Sequence, residues 1–196
     1  MSNSLSRHRT AELQDGNRTN ICVGLTAEWL SNLPSSPRSR MAALTPGSDG
    51  HLSAAACQRR YESLMRSLRK GGVERSETPF RARADVFREA GVFLSETGHT
   101  YTFRDEESFA ELEREITANG RKYSLSLCFE RDGRRERHLV ATSVSDGIIT
   151  LFDPNYGEFA VRPEDIAELF QKLANRYRHP NRLELLSITT QRVETE

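Results

Sequence analysis

A thiol, an imidazole and a carboxylate stand along this chain in an order that could carry nucleophilic chemistry: Cys22, His138 and Asp153. Cys22 opens the run Ile21-Cys22-Val23-Gly24-Leu25-Thr26-Ala27-Glu28-Trp29-Leu30, where a helix is expected to begin. A sulfur in the first turn of a helix faces backbone N–H groups without intrahelical acceptors and the positive end of the dipole. Both favour the thiolate. Histidine can take up and return a proton, and a carboxylate bonded to one ring nitrogen fixes the tautomer and frees the other nitrogen for the thiol. These are the three parts of an acyl-transfer centre: nucleophile, base and orienter.

Local patterning supports contact between the last two. The runs 138–145 and 148–153 flank Asp146-Gly147, a pair that favours a two-residue hairpin turn. Counting outward from that turn sets Ser145 against Ile148 and Val140 against Asp153. His138 then lies on the same face as Val140 and diagonal to Asp153, about 7–8 Å away by backbone and within side-chain reach. Val140, Val144, Ile149 and Leu151 share that face and should pack inward, which puts the His–Asp pair at the margin of a core.

Further elements must position these groups. Residues 1–16 are Ser-, Arg- and Asn-rich and read as a flexible arm, with a composition that suits an export signal. The remainder, 17–196, reads as one domain. In the helix from Cys22, Leu25, Trp29 and Leu33 share a face, Asn20 is placed for the N-cap, and Pro34 ends the element. Residues 31–50, rich in Ser, Pro and Gly, read as a long surface loop. Helical patterns follow over 52–70, 85–96 and 106–118, the last with Phe109, Leu112 and Ile116 in one stripe. Tyr123 to Phe129 alternates as a half-buried strand, and Arg131-Asp132-Gly133-Arg134 is a turn. Pro163 begins a helix through Arg176 with Ile166, Leu169, Phe170 and Leu173 facing inward, and 182–190 is a final strand. Helices first and antiparallel strands later make the class α+β.

The bulk numbers narrow the function classes. At 196 residues with 28 basic and 28 acidic side chains, the chain has no charge excess to favour nucleic acid or an anionic membrane. Its three cysteines are odd in number and widely spaced, which argues against a disulfide framework and a Cys-based zinc site. No cofactor or metal is expected. No apolar run approaches the ~20 residues of a membrane-spanning helix, and residues 1–20 lack the apolar core of a secretory signal peptide. Ser2 excludes direct N-myristoylation of the encoded terminus.

Cys22 through Leu30 resembles the nucleophile helix of the YopT/AvrPphB-type cysteine proteases, papain-like effectors that pathogenic and symbiotic bacteria inject into host cells. His138-Leu-Val-Ala and Phe152-Asp153-Pro154-Asn155-Tyr156-Gly157-Glu158-Phe159 resemble that family's histidine and aspartate segments. The resemblance covers 16–33 and 137–170. It implies a papain-like fold with N-terminal helices packed on a C-terminal antiparallel sheet, Cys22 as nucleophile, His138 as general base and acid, and Asp153 as orienter. It also implies an oxyanion hole built from the Cys22 N–H and a side-chain amide upstream. Asn17 is preferred to Asn20, which stands where a cap belongs, although both suit turn positions equally. The expected activity is that of a thiol endopeptidase, a monomer in the host cytosol acting on one or a few host signalling proteins. With 21 residues before Cys22, self-processing and subsequent lipidation are not expected.

Two other activities fit the same residues. The triad would equally serve a deamidase or acyltransferase acting on a host protein, and a closed cleft would leave a silent binding module. Cys57 and Cys128 read as core thiols, His51, His99 and His179 lack metal-like partners, and Trp29 reads as core. The run Arg131 to Arg137 reads as a solvated hairpin end that could also line a cleft and favour an acidic or phosphate-bearing substrate.

Overall fold

The computed structural model describes residues 4–194; Ser2, on which the myristoylation argument rests, lies outside them. In chain order the first elements are β1 (Arg9–Glu12), α1 (Cys22–Ser31), α2 (Pro37–Ala43), α3 (Asp49–Lys70), α4 (Thr78–Glu89) and β2 (Leu94–Thr102). Then come α5 (Glu106–Ile116), β3 (Lys122–Arg131), β4 (Arg134–Ser145), β5 (Ile148–Asp153), β6 (Gly157–Val161), α6 (Ile166–Arg178) and β7 (Glu184–Val193). The strands form one antiparallel sheet in the order β1-β6-β5-β4-β3-β7-β2, which bears out the α+β reading.

The central strands of the sheet are buried on both faces, and period-2 alternation sorts their side chains between two cores. Val140, Val144, Ile149, Leu151 and Phe159 face α5 and α6, where they meet Leu112, Ile116, Leu169 and Phe170. Leu139, Ala141 and Phe152 face α1–α4, against Leu25, Trp29 and Phe87. The half-buried reading of Tyr123 to Phe129 is therefore corrected: Ser124, Ser126 and Cys128 are covered too, by the helices on the second face.

The central hairpin has the register counted from sequence. Ser145 pairs with Ile148 and the ladder runs to Ala141 with Phe152, which carries Val140 toward Asp153. Asp146 and Gly147 have φ of 51° and 73°, and Asp132 and Gly133 in the preceding turn have 51° and 76°. Positive φ at both central residues is the turn that matches strand twist, which is why Asp-Gly stands at each.

Other expectations are overturned. The polar arm holds a strand: Arg9, Ala11 and Glu12 of β1 pair with Phe159, Glu158 and Gly157, while Leu5 and Leu13 are buried. Docking there requires Gly157, since its φ is 109° and a Cβ would stand 2.3 Å from Ala11 O. The loop assigned to 31–50 contains α2, started by Ser36, whose hydroxyl accepts from Ser39 N, with Pro37 at the first helical position. The helix assigned to 85–96 runs instead from Thr78 to Glu89, and Leu94 already belongs to β2. Strand pairing to β7 overrides the weak local pattern there.

Candidate active site

Helix α1 carries Cys22 at its first position and seats itself on α3 and β4. Gly24 lies so close to α3 that a Cβ would meet Ala54 O at 1.8 Å. Leu25 and Trp29 are fully buried, and Trp29 stacks on Phe152 with ring centres 5.3 Å apart. Trp29 is core, as its spacing suggested. Burying such side chains contributes on the order of 1.5–3 kcal/mol each, enough to hold the helix end in place.

Asn20 does not cap this helix. It has φ 56°, the N-cap is Ile21, and no side chain of the cap bonds to the first turn. Instead Gln58 on α3 reaches across: its Oε1 accepts from Val23 N at 2.9 Å and from Gly24 N at 3.3 Å. Sequence reasoning missed this acceptor, because Gln58 reads as one more polar residue on a polar helix.

His138 lies on β4 just past the last β4–β5 pair, and Asp153 ends β5. His138 Nε2 donates to Asp153 Oδ1 at 2.8 Å, which leaves Nδ1 for the thiol. Asp153 is fully buried and also accepts from Asn155 N at 2.9 Å and from Tyr177 Oη at 2.7 Å. Tyr177 on α6 was invisible as a site residue, since it lies just past the helix read from sequence as ending at Arg176. Its hydroxyl accepts from Asn155 Nδ2 at 2.9 Å, and its ring packs 5.7 Å from that of His138.

Cys22 comes to this pair from the other face of the sheet, so the three residues meet along β4 where β5 ends. The thiol lies beside His138 and the Leu139 backbone, and both act on its ionisation. Burial opposes ionisation of Cys22, but the hydrogen bond and charge of His138 and the Leu139 bond outweigh it and lower the thiol below its ordinary range. Burial likewise opposes protonation of His138, but the charge and hydrogen bond of Asp153, with Cys22 behind them, raise it to about 10. The arrangement moves the pair toward thiolate and imidazolium, the form in which a cysteine is nucleophilic.

Asn17 lines the same cleft as Asn20, Cys22, Gln58 and His138. Its Nδ2 donates to Asn155 Oδ1 at 2.8 Å, so it is tied to the aspartate loop. The loop that carries it is held from below by His51, whose Nε2 is 2.9 Å from Gly16 O. Arg83 and Arg137 also face the cleft. Among the described residues no three acidic, His or Cys side chains are grouped to hold a metal ion, and no helix is long and apolar enough to cross a membrane.

Comparison with known proteins gives a consistent result. The family described as Yersinia/Haemophilus virulence surface antigen matches residues 2–193. The chain is 47% identical over 193 residues to a protein of Bradyrhizobium diazoefficiens named as a YopT-like cysteine protease, covering 97% of this chain and 70% of that protein. It is 48% identical over 190 residues to one of the same description from Sinorhizobium fredii, covering 97% and 71%. The crystal structure of the Pseudomonas avirulence protein AvrPphB superposes with a TM-score of 0.85 at 27% identity, over 98% of this chain and all of that one.

Proposed function

The chain belongs to the YopT/AvrPphB family of cysteine proteases, and from that premise we propose that Cys22, His138 and Asp153 are its catalytic triad. The Asp153–His138 hydrogen bond, with Cys22 beside His138 and a cleft at the thiol, supports this assignment more than any other feature. The Cys22 thiolate attacks the peptide carbonyl carbon, and the carbonyl oxygen takes the charge. His138 donates its Nδ1 proton to the amine nitrogen, the C–N bond breaks, and a thioester remains. His138 then takes a proton from water, whose oxygen attacks the thioester and releases the acid with return of the thiolate. Asp153 holds the ring by Nε2 throughout, and Tyr177 holds Asp153.

The Cys22 N–H and the Asn17 amide form the oxyanion hole, Asn17 being kept at the cleft by Asn155 and by the His51-anchored loop. Arg83 is buried with the neutral Gln191 Oε1 as acceptor of its Nε at 2.9 Å, and Arg137 shares the cleft wall. Neither has an ion-pair partner among the described residues, so the cleft suits a substrate with an acidic group near the scissile bond. The protein acts as a secreted effector, a monomer that cleaves one or a few host signalling proteins inside the host cell.

The test compares purified wild type with Cys22→Ala in host-cell lysate by mass spectrometry of new protein N-termini. Termini that form only with the wild type are expected, with acidic residues enriched beside the cut. One-dalton shifts at glutamine with no new termini would instead assign a deamidase.

A further inference from the structure

An α-helix begins with N–H groups that have no acceptor inside the helix, and α1 has three before Leu25 N bonds to Ile21 O: those of Cys22, Val23 and Gly24. In a thiol protease these donors have competing uses. They can cap the helix, stabilise the sulfur, or bind the oxygen of the substrate carbonyl. Gln58 divides them. Its Oε1 takes Val23 N and Gly24 N, and among the described residues the Cys22 N–H has no acceptor. Because Oε1 must face two donors, the orientation of the amide is fixed, and Nε2 turns to Glu62 Oε1 at 3.4 Å. Gln58 is buried, and it stands one helical turn after Ala54, the residue against which Gly24 is seated. One face of α3 thus sets both the height of α1 and the use of its first-turn donors.

We propose that Gln58 is a positioning residue of the active site: by occupying Val23 N and Gly24 N it reserves the Cys22 N–H for the substrate oxygen and leaves the sulfur to be stabilised from β4. This deepens the triad assignment and rests on it. The sulfur is then governed by His138 and the Leu139 backbone, so its charge follows the proton on the base that must later serve the leaving group. The other titratable groups that face Cys22 are Glu136 and Arg137 on β4, Asp153 on β5, Tyr61 on α3 and Arg83 on α4.

The experiment measures the rate of Cys22 alkylation by iodoacetamide against pH in the whole protein, beside kcat, KM and thermal midpoint. Gln58→Met keeps the length of the side chain and removes the acceptor. Its two freed donors should move the thiol transition to lower pH and reduce kcat about tenfold, with KM little changed. Gln58→Glu keeps an acceptor, should keep the thermal midpoint, and should move the transition to higher pH. Opposite displacements establish the role. If Gln58→Met lowers the midpoint but its alkylation profile overlays the wild type, Gln58 is a structural cap and the proposal fails. If Gln58→Met does not fold, an unmoved profile in Gln58→Glu overturns it equally. A wild-type transition in the ordinary thiol range would refute the thiolate–imidazolium pair, while the displacement between wild type and variants still decides the part played by Gln58.

Discussion

Two buried carboxylates bracket the turn between β5 and β6, and they have opposite lives. Asp153 and Glu158 are both fully inaccessible. Glu158 accepts from Trp29 Nε1 at 2.6 Å and from Arg40 Nε and Nη2 at 2.5 and 2.9 Å. Arg40 in turn donates Nη1 to Leu33 O at 2.9 Å and to Ser35 O, so α1, α2 and β6 are tied at one point. Each nitrogen of the Arg40 guanidinium has an acceptor. Asp153 has an imidazole where Glu158 has a guanidinium, and its partner opens on a cleft. Burial of an acid is common to both; only the titratable partner suits one of them to the catalytic role proposed for it. The fixed pair holds α1 against the sheet, and the titratable pair lies beside the start of that helix.

This contrast predicts that the two acids fail in different ways. Asp153→Ala should cut kcat/KM roughly 10³–10⁴-fold, as loss of an orienter does in other triads, while the folded state survives; circular dichroism beside a peptide assay checks it. Glu158→Ala should do the reverse. It strands Arg40 and should lower stability by about 3–5 kcal/mol, while the folded fraction keeps near-normal kcat; urea titration with activity at each point measures both. Equal activity losses in the two variants would erase the distinction.

A finer test uses pH. His138 is raised from 6.5 to about 10, so its contribution to stability is complete below pH 6.5 and disappears as pH rises through about 10. Cys22 is lowered, so its contribution is present above the ordinary thiol range and is lost as pH falls through its folded value. Activity should therefore have an acid limb below that of a free thiol and an alkaline limb near pH 10. In Asp153→Asn the alkaline limb should fall toward 6.5, whereas Glu158→Gln should leave both limbs in place. Tyr177→Phe should have the smallest effect: loss of one hydrogen bond to a carboxylate is worth about 1.5–3 kcal/mol, or on the order of 10–100-fold in kcat/KM. Its alkaline limb should also move, which simple loosening of α6 would not cause.

The sequence made the His–Asp pair readable because both residues hang from a short hairpin whose Asp-Gly turn fixes the register by counting. It hid whatever depended on distant partners. Arg40 looked like a loop residue, since nothing nearby announces an acid 118 positions away. Tyr177 fell just beyond the helix read from sequence, and its hydroxyl has no sequence signature. The strand at Arg9–Glu12 is polar and gains its order from the exposed edge of β6, not from its own propensity. Asn20 had the right residue type for a cap in the wrong backbone conformation, and the real acceptor was on another helix.

The sheet edge formed by β1 has a consequence for how the molecule is made. Arg9 pairs with Phe159, Asn17 with Asn155, and Cys22 with His138. These contacts are nested, each closing a loop of more than a hundred residues. Such topology delays closure, because the entropy of a long loop must be overcome before its contacts form. During synthesis Cys22 leaves the ribosome more than a hundred residues ahead of His138 and waits for that stretch before the two can meet. If these residues form the proposed triad, the nascent polypeptide carries no working centre, and assembly itself postpones activity until β6 has folded back on the first segment.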